Sequence, residues 1–429
     1  MSEWAAALLV GSFALLLLLR APIAVALGLS SVFTIWIYDL GIPVLSYNVW
    51  AGIAKFPLLA IPFFILAGVI MEKAGMAGRI VHFIRLLVGH LPGGLALAAV
   101  GVALFWGAVS GSGPATVAAL GTILIPGMAR VGYDRAFATA VVAATSELSI
   151  VIPPSIALIV YGTLTSQSVG TLFVAGVVPG LVVGALLGAL ALVLSIRRGY
   201  GGEEPTQPGQ VWEAFKEAGW GLLAPVIILG GIYGGVFTPT EAAAVAVFYG
   251  LFVGLVVYRS LSLRSLYRTL VEATISTSVI MIVVTLAGIF SWTASTIGVI
   301  DRVTQAILAL DGSPLLLLLV LNLFLLVVGM FLDAISVYYI FLPIFIPVMA
   351  HLGWNPIWFG IMMTVNLALG QITPPVAVNL YMGAHVAGLS LEEVWREVWR
   401  FAAAAAVGLL IVAYVPQLSL WLPWALGMR

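Results

Sequence analysis

The sequence predicts an all-α protein that crosses a membrane many times and is built from two related halves. Hydrophobic residues make up 62% of its 429 residues and charged residues only 8%, whereas a soluble domain carries roughly 25% charged residues. Apolar runs long enough to cross a bilayer, about 20 residues each, recur along the chain. Each must be helical, because hydrocarbon offers no partner for exposed backbone groups.

Composition also excludes several classes of function. The formal net charge is zero, which argues against nucleic acid as a partner. The chain has no cysteine, so disulfides, thiolate chemistry and cysteine-based metal sites are excluded. The four histidines show no ligand spacing, and we expect no cofactor and no metal other than a coupling ion. The first apolar run, Trp4 to Leu19, lacks a basic n-region and a cleavage site, so we expect a retained span.

One long stretch occurs twice, and its two copies are separated by 221 residues along the chain. Pro153-Pro154 in the first copy recurs as Pro374-Pro375 in the second. In both copies an apolar segment breaks at small and polar residues, and a later segment breaks at the proline pair. Paired broken segments in the two halves of a membrane protein indicate a transport site.

This repeat and the apolar runs give the predicted layout. Two apolar pairs, 95–129 and 314–350, are expected to form re-entrant hairpins that enter and leave the membrane on one side. Two segments of mixed charge, 76–90 and 296–310, are expected to lie at the interface. Ten spans are expected, with 134–166 and 356–388 broken at Pro-Pro: 4–20, 22–45, 56–74, 134–166, 171–196, 222–236, 240–258, 273–293, 356–388 and 402–425.

The distribution of charge predicts the orientation of the chain. With the N-terminus outside, fourteen of the seventeen Lys and Arg residues fall on the inner side, as the positive-inside rule requires. Each half then has five crossings and one hairpin, and this odd number of crossings inverts the second repeat. We expect a first inverted repeat at 1–198, a cytoplasmic linker at 199–219 and a second inverted repeat at 220–429.

The first tip and the first break carry polar groups in an apolar setting. Glycines let the backbone turn there, and unwound carbonyls at helix ends coordinate Na⁺ in transporters. Tight packing of small residues and a plain proline kink are the structural alternatives. The expected first sodium site comprises Ser110, Gly111, Ser112, Gly113, Thr145, Glu147, Ser149 and Pro153.

The second tip and the second break offer neutral oxygens that suit a hard monovalent cation. Glu147 and Asp333 lie deep in apolar sequence, where carboxylates are costly and usually functional. Each is open to three interpretations, as a sodium ligand or counter-charge, a proton relay, or a structural hydrogen-bond partner. The expected second sodium site comprises Gly329, Met330, Asp333, Asn366, Gln371, Thr373 and Pro374.

The substrate is expected near the midplane, between the two tips. Two symmetric broken halves meet there, and the polar groups of the site are buried in protein rather than in lipid. The residues expected along the substrate path are Trp106, Pro114, Thr116, Ser155, Ser336 and Pro375.

At these motifs the chain resembles the large membrane subunit of a TRAP (tripartite ATP-independent periplasmic) transporter, over essentially its whole length. The resemblance rests on four stretches, which begin at Pro57, Gly107, Met330 and Gly370. It implies an elevator-type secondary transporter of the bacterial inner membrane that is driven by Na⁺ and takes up a small organic acid. It also implies two partners, a small membrane subunit and a periplasmic substrate-binding protein. The sequence has no four-helix N-terminal extension, so we expect the small subunit to be a separate chain.

Two other functions stay open at the level of sequence. One is a self-sufficient Na⁺/dicarboxylate-type symporter that works without a binding protein. The other is an intramembrane enzyme that uses Glu147 or Asp333, although no metal motif or Ser/His pair accompanies them. We therefore expect a transporter rather than an enzyme, with both termini on the periplasmic side.

Overall fold

The computed structural model describes residues 3–203, 207–309 and 313–428, and all regular elements in these ranges are helices. Eight helices in this part of the chain are long and apolar enough to cross a membrane. The sequence therefore predicts the class correctly, an all-α multi-pass membrane protein. Residues 204–206 of the predicted linker and residue 310 of the second interfacial segment lie outside the described residues, as do the outermost residues 1, 2 and 429 of the predicted repeats.

The described residues of the first half form eleven α-helices and one short 3₁₀ turn at Phe56–Leu59. The helices are α1 Glu3–Leu18, α2 Ile23–Ile37, α3 Pro43–Ile53, α4 Ala60–Lys73, α5 Met76–Val88, α6 Gly94–Ser110, α7 Gly113–Arg130, α8 Arg135–Thr145, α9 Leu148–Val151, α10 Ile156–Thr165 and α11 Val169–Arg197.

In the second half, the part that the structure describes forms ten α-helices, and a π-helical segment at Val253–Val257 extends one of them. They are α12 Pro208–Tyr233, α13 Pro239–Phe252, α14 Leu263–Thr296, α15 Val299–Leu308, α16 Pro314–Gly329, α17 Ala334–Leu352, α18 Pro356–Gly370, α19 Val378–Ala387, α20 Leu391–Tyr414 and α21 Gln417–Ala425.

Each segment predicted to form a hairpin contains two helices, α6 and α7 in the first and α16 and α17 in the second, while their re-entrant course stays a prediction. Helix α7 begins at Gly113 and α17 begins at Ala334, which is 221 positions later. Helices α8 and α18 begin at Arg135 and Pro356, again 221 positions apart. The repeat read from the sequence is thus matched by a repeat of helix boundaries, while the inversion of the halves stays a prediction.

The structure corrects the predicted span at 22–45. Helix α2 ends at Ile37, and Asp39 and Gly41 follow with φ values of 48° and 94°. Backbone in this left-handed region cannot continue a right-handed helix. A separate helix, α3, then begins at Pro43, where a proline suits the first helical position.

The structure also corrects the predicted linker and three later spans, 222–236, 273–293 and 402–425. Helix α12 begins at Pro208 after a capping box between Gln207 and Gln210, so the second part of the predicted 199–219 loop is helical. Helix α14 extends beyond the predicted 273–293 span at both ends. The predicted 402–425 span is two helices, α20 and α21, because the chain leaves the helical conformation at Val415 before Pro416.

The helices pack into two groups. Helices α2, α3 and α4 pack on α14, and α4 also packs on α13. The two hairpins pack with the broken segments: α6, α7, α18 and α20 lie against α8 or α9, and α16 lies against α18. We call the first group, α1–α4 with α12–α14, the outer group, and the second, α6–α11 with α16–α20, the hairpin group.

Helix α5 connects the two groups on one side of the molecule. It packs against α12 of the outer group and against α6 and α7 of the hairpin group. Its Arg85 donates to Glu203 from Nε at 2.8 and 2.7 Å, and the Glu203 amide donates to the Gly89 carbonyl at 2.8 Å. The start of the predicted linker is therefore fastened to the end of α5.

Candidate functional site

The first tip joins α6 to α7 through two residues. Gly111 adopts a left-handed conformation with φ 61°, which ends α6. Ser112 is extended and stands before α7, but its side chain makes no capping hydrogen bond. Ser110 Oγ donates to the Ser112 carbonyl at 3.2 Å. The carbonyl end of one helix and the amide end of another thus meet at this tip.

The second tip also joins two helices, α16 and α17, but here a side chain caps the start of the second helix. Asp333 Oδ1 accepts from the backbone amides of Ile335 at 2.9 Å and Ser336 at 3.0 Å. Its Oδ2 accepts from Ser336 Oγ at 2.6 Å. The Met330 carbonyl accepts from the Val376 amide at 3.2 Å, so the second break is hydrogen-bonded to its own tip. The amide end of α17 is closed by a carboxylate of the same chain.

The first break lies between α9 and α10, at the cis Pro153–Pro154 bond. Ser155 caps α10, accepting from the Leu158 amide at 3.3 Å and donating to the Ile150 carbonyl. Thr145 and Ser149 donate to the carbonyls of Val141 at 2.8 Å and Ser146 at 2.5 Å. These hydroxyls bond within their own segment, and their acceptor lone pairs remain.

Glu147 lies between α8 and α9, one short helix before this break, and is 2% exposed. Its Oε2 has no hydrogen-bond partner among the described residues. No ion pair to it is found in the described part of the chain. A buried carboxylate needs a counter-charge or a proton, so the location of Glu147 fits a cation or a proton there.

The second break lies between α18 and α19, at the cis Pro374–Pro375 bond. Thr373 Oγ1 donates to the Leu369 carbonyl at 2.8 Å. Asn366 Nδ2 donates to the backbone oxygen of Asn322 at 2.8 Å and to its Oδ1 at 3.0 Å. Asn366 thus ties α18 to α16, while its Oδ1 has no partner among the described residues.

Each hairpin approaches its own broken span closely at a glycine. A Cβ on Gly107 would lie 2.8 Å from the Ser149 Cα. A Cβ on Gly370 would lie 2.6 Å from the backbone carbonyl carbon of Gly329. The helices meet backbone to backbone at both places, so the hairpins and the broken spans pack as one body.

Both tips line one cavity of about 530 Å³. Ile150 and Ile156 flank the first break on its wall, and Val279 and Val283 of α14 belong to the outer group. The cavity therefore lies where the hairpin group meets the outer group. Six of the predicted site residues line it, namely Gly111, Ser112, Gly113, Pro114, Asp333 and Gln371.

The remaining predicted site residues do not line this cavity. Trp106 and Thr116 are 1% and 0% exposed, so the structure places neither on an open path. Pro374 and Pro375 line a separate pocket of about 190 Å³ beside Trp395. The others without a wall position in the central cavity are Ser110, Thr145, Glu147, Ser149, Pro153, Ser155, Gly329, Met330, Ser336, Asn366 and Thr373.

The structure brings together two residues from different halves that the repeat does not pair. A Cβ on Gly113 of the first tip would lie 2.9 Å from Gln371 Oε1 of the second break. It would lie 2.6 and 2.7 Å from Oδ1 and Nδ2 of Asn379. Asn379 is not among the residues predicted from the sequence. Its position could have indicated it, because an amide side chain is unusual in the first turn of an apolar helix that follows Pro-Pro.

The cavity wall is apolar apart from a few groups, and Asp333 is its only charged residue in the described part of the chain. No group of three or more His, Asp or Glu side chains suited to a metal occurs among the described residues. The site offers neutral oxygens, a carboxylate and helix ends. Such groups bind monovalent ions and small polar solutes.

Comparison with known proteins gives the family. The family described as "Tripartite ATP-independent periplasmic transporter, DctM component" matches residues 10–418. The isethionate TRAP transporter permease protein DctMQ of Oleidesulfovibrio alaskensis is 42% identical over 96% of this chain, which spans 65% of that protein. The C4-dicarboxylate TRAP transporter large permease protein DctM of Rhodobacter capsulatus is 36% identical over 99% of this chain and its own full length.

A solved structure supports the fold. The Alcanivorax borkumensis YdaH transporter superposes with a TM-score of 0.63 at 15% sequence identity, covering 89% of this chain and 88% of that one. The relatives are transport permeases rather than enzymes. The expected resemblance is confirmed, and the chain belongs to the DctM component family of tripartite ATP-independent periplasmic transporters.

Proposed function

We propose that this chain is the large permease subunit of a Na⁺-coupled system that takes up a small organic acid across the inner membrane. It works with a small membrane subunit and a periplasmic substrate-binding protein. The observation that carries this proposal is the single cavity of about 530 Å³ shared by both tips. Small-molecule sites have volumes of about 300–1,000 Å³.

The two sodium sites follow from the helix ends at the tips. The carbonyl end of α6 at Ser110 and Gly111 carries partial negative charge. Glu147, which is buried, would supply a negative charge to a cation at this site when its carboxyl group is deprotonated. At the second tip, Asp333 accepts three hydrogen bonds and keeps lone-pair capacity for a cation.

Weakening either site should raise the Na⁺ concentration that gives half-maximal uptake. Ser112→Ala removes a hydroxyl at the first tip, and Asp333→Asn removes the charge at the second tip while keeping a side-chain cap for α17. We expect a modest shift for Ser112→Ala and at least about tenfold for Asp333→Asn, since a hydrogen-bonded charge contributes roughly 1.5–3 kcal/mol. Ser46→Ala on α3, outside the cavity wall, is the control. Unchanged Na⁺ dependence of uptake in both variants would contradict the assignment of the sodium sites to the two tips.

The requirement for the binding protein is tested by reconstitution. Proteoliposomes with the chain and its small subunit are assayed with a panel of organic acids, with and without the binding protein. Uptake that requires the binding protein supports the tripartite system. Equal uptake without it would favour a self-sufficient symporter, the second carrier function suggested by the sequence.

The proposed orientation places both termini in the periplasm and the linker in the cytoplasm. The excess of Lys and Arg on the expected inner side motivates it. A reporter that is active only in the cytoplasm, fused after Gly209, should be active, and the same reporter after Gly427 should be silent. Activity in the reverse pattern contradicts the proposed topology.

A further inference from the structure

The two tips present different helix ends to the same cavity. At the second tip the amides of Ile335 and Ser336 are already bonded to Asp333. At the first tip, α7 has eighteen residues and no side-chain cap. The amide end of a helix carries partial positive charge and unpaired N–H groups. Pro114 has no N–H, and the Thr116 amide donates to the Ser112 carbonyl at 3.0 Å. The amides open to an anion at this end are therefore those of Gly113 and Ala115.

A buried amide lies against this open end. Asn379 is 0% exposed, and neither Oδ1 nor Nδ2 has a hydrogen-bond partner within the described ranges. Both atoms lie within 2.7 Å of the position that a Cβ would take on Gly113. Either orientation of the amide therefore brings its NH₂ group to the first residue of α7.

Gln371 connects this buried amide to the cavity. It lines the cavity wall, and its Oε1 is also buried without a partner in the described part of the protein. A buried polar atom without a partner is costly, by about 1–3 kcal/mol. Each of the two amides has one NH₂ group, which faces the ligand when the amide is turned that way, so a bound anion can accept a hydrogen bond from Asn379 and from Gln371.

The rest of the wall does not suit a second negative charge. No Lys or Arg lines the cavity among the described residues, and its only charged side chain is Asp333. Ile23, Ile156, Val279 and Val283 make most of the remaining wall apolar. A second carboxylate would face either Asp333 or these apolar side chains, and an unpaired buried charge is strongly unfavourable.

We propose that the substrate is a monoanionic organic acid with an apolar body, a single carboxylate or sulfonate rather than a dicarboxylate. Its oxygens accept hydrogen bonds from the open amide end of α7 and from the amides of Asn379 and Gln371. The apolar body lies against the isoleucines and valines of the wall. This inference rests on the proposed function, since it concerns the substrate of the same cavity.

The charge of the substrate is tested by calorimetric titration of the purified full chain in NaCl. Butanoate and succinate are the probes, because both have four carbons and they differ in the second carboxylate. We expect butanoate to bind and succinate to bind at least tenfold more weakly. 4-Methylpentanoate, with a larger apolar body, should bind more tightly than butanoate.

The site is tested by variants titrated with butanoate. Asn379→Leu keeps the number and branching of the side-chain heavy atoms but removes the donor, and we expect affinity to fall about tenfold to a hundredfold. Asn379→Asp keeps the size and polarity and places a negative charge at the anion, so it should abolish binding. Gly113→Ala should also weaken binding, because its Cβ would occupy the space of the Asn379 amide. Asn48→Leu on α3, also an amide with an unpartnered Nδ2 in the described structure, is the matched control.

The results of these titrations distinguish a failure of this inference from a failure of the proposed function. Succinate that binds as tightly as butanoate overturns the monoanion assignment, and unchanged affinity in Asn379→Leu and Asn379→Asp overturns the site. With either result, Na⁺-coupled transport is still supported if the acid that binds with the higher affinity binds more tightly in NaCl than in choline chloride. An absence of binding by every acid tested overturns the monoanion site in this chain, and Na⁺-coupled transport is then judged by uptake with the binding protein present.

Discussion

Replacing Gly370 with alanine is expected to abolish uptake and to lower the thermal unfolding midpoint of the purified protein. The new Cβ would lie 2.6 and 2.7 Å from the carbonyl carbon and oxygen of Gly329. These are backbone atoms, so α16 and α18 must separate to make room. Overpacking of this kind costs about 1–3 kcal/mol, and sometimes more.

The matched control is the same substitution where space is open. Nothing lies within 4 Å of a Cβ placed on Gly230 in α12, so Gly230→Ala should keep uptake and the unfolding midpoint close to those of the original protein. Gly107→Ala should resemble Gly370→Ala, because its Cβ would lie 2.8 Å from the Ser149 Cα. If Gly370→Ala and Gly230→Ala behave alike, the close contact has no structural importance.

Cross-linking α5 to the first hairpin is expected to stop transport completely. We propose that the hairpin group moves as one rigid unit past the outer group, with α5 staying at the interface. A Cβ on Gly78 of α5 would lie 3.9 Å from the Ile123 Cδ1 of α7. The chain has no cysteine, so Gly78→Cys with Ile123→Cys introduces only the two thiols that a short cleavable cross-linker joins.

A second cross-link within the proposed moving unit serves as the control. A Cβ on Gly121 of α7 would lie 3.8 Å from the Val142 Cγ1 of α8. Joining cysteines at these positions should leave uptake intact, because both helices belong to the hairpin group. Loss of uptake through a link confirmed to form here, or full uptake through the α5 link, would contradict the rigid-unit mechanism.

The fold was predictable where the sequence carries local signals. Pro-Pro marks each break because proline removes a backbone donor and restricts the preceding residue. Asp333 marks the second tip because a carboxylate in an apolar run needs partners, and it finds them in the amides of α17. Because these local signals recur in both halves, the repeat also predicts that each half has one hairpin and one broken span.

The site was predictable only in part, because its side-chain contacts depend on how distant segments pack. The contact of Gly113 with Gln371 joins two halves of the chain, and no spacing within either half reveals it. Asn366 stays a predicted sodium ligand through its Oδ1, but the hydrogen bonds from its Nδ2 to Asn322 of α16 could not be predicted from spacing. Helix α3 was missed because its composition is apolar and only the turn around Asp39 separates it from α2.

The central claim is that Na⁺ drives a substrate through the cavity between the two tips. The most direct measurement is uptake of a labelled acid into proteoliposomes with the small subunit and the binding protein, under an inward Na⁺ gradient and a clamped membrane potential. We expect accumulation against the substrate gradient, which collapses when a sodium ionophore removes the Na⁺ gradient. Accumulation of the same extent with choline in place of Na⁺, or under a proton gradient alone, would contradict the account.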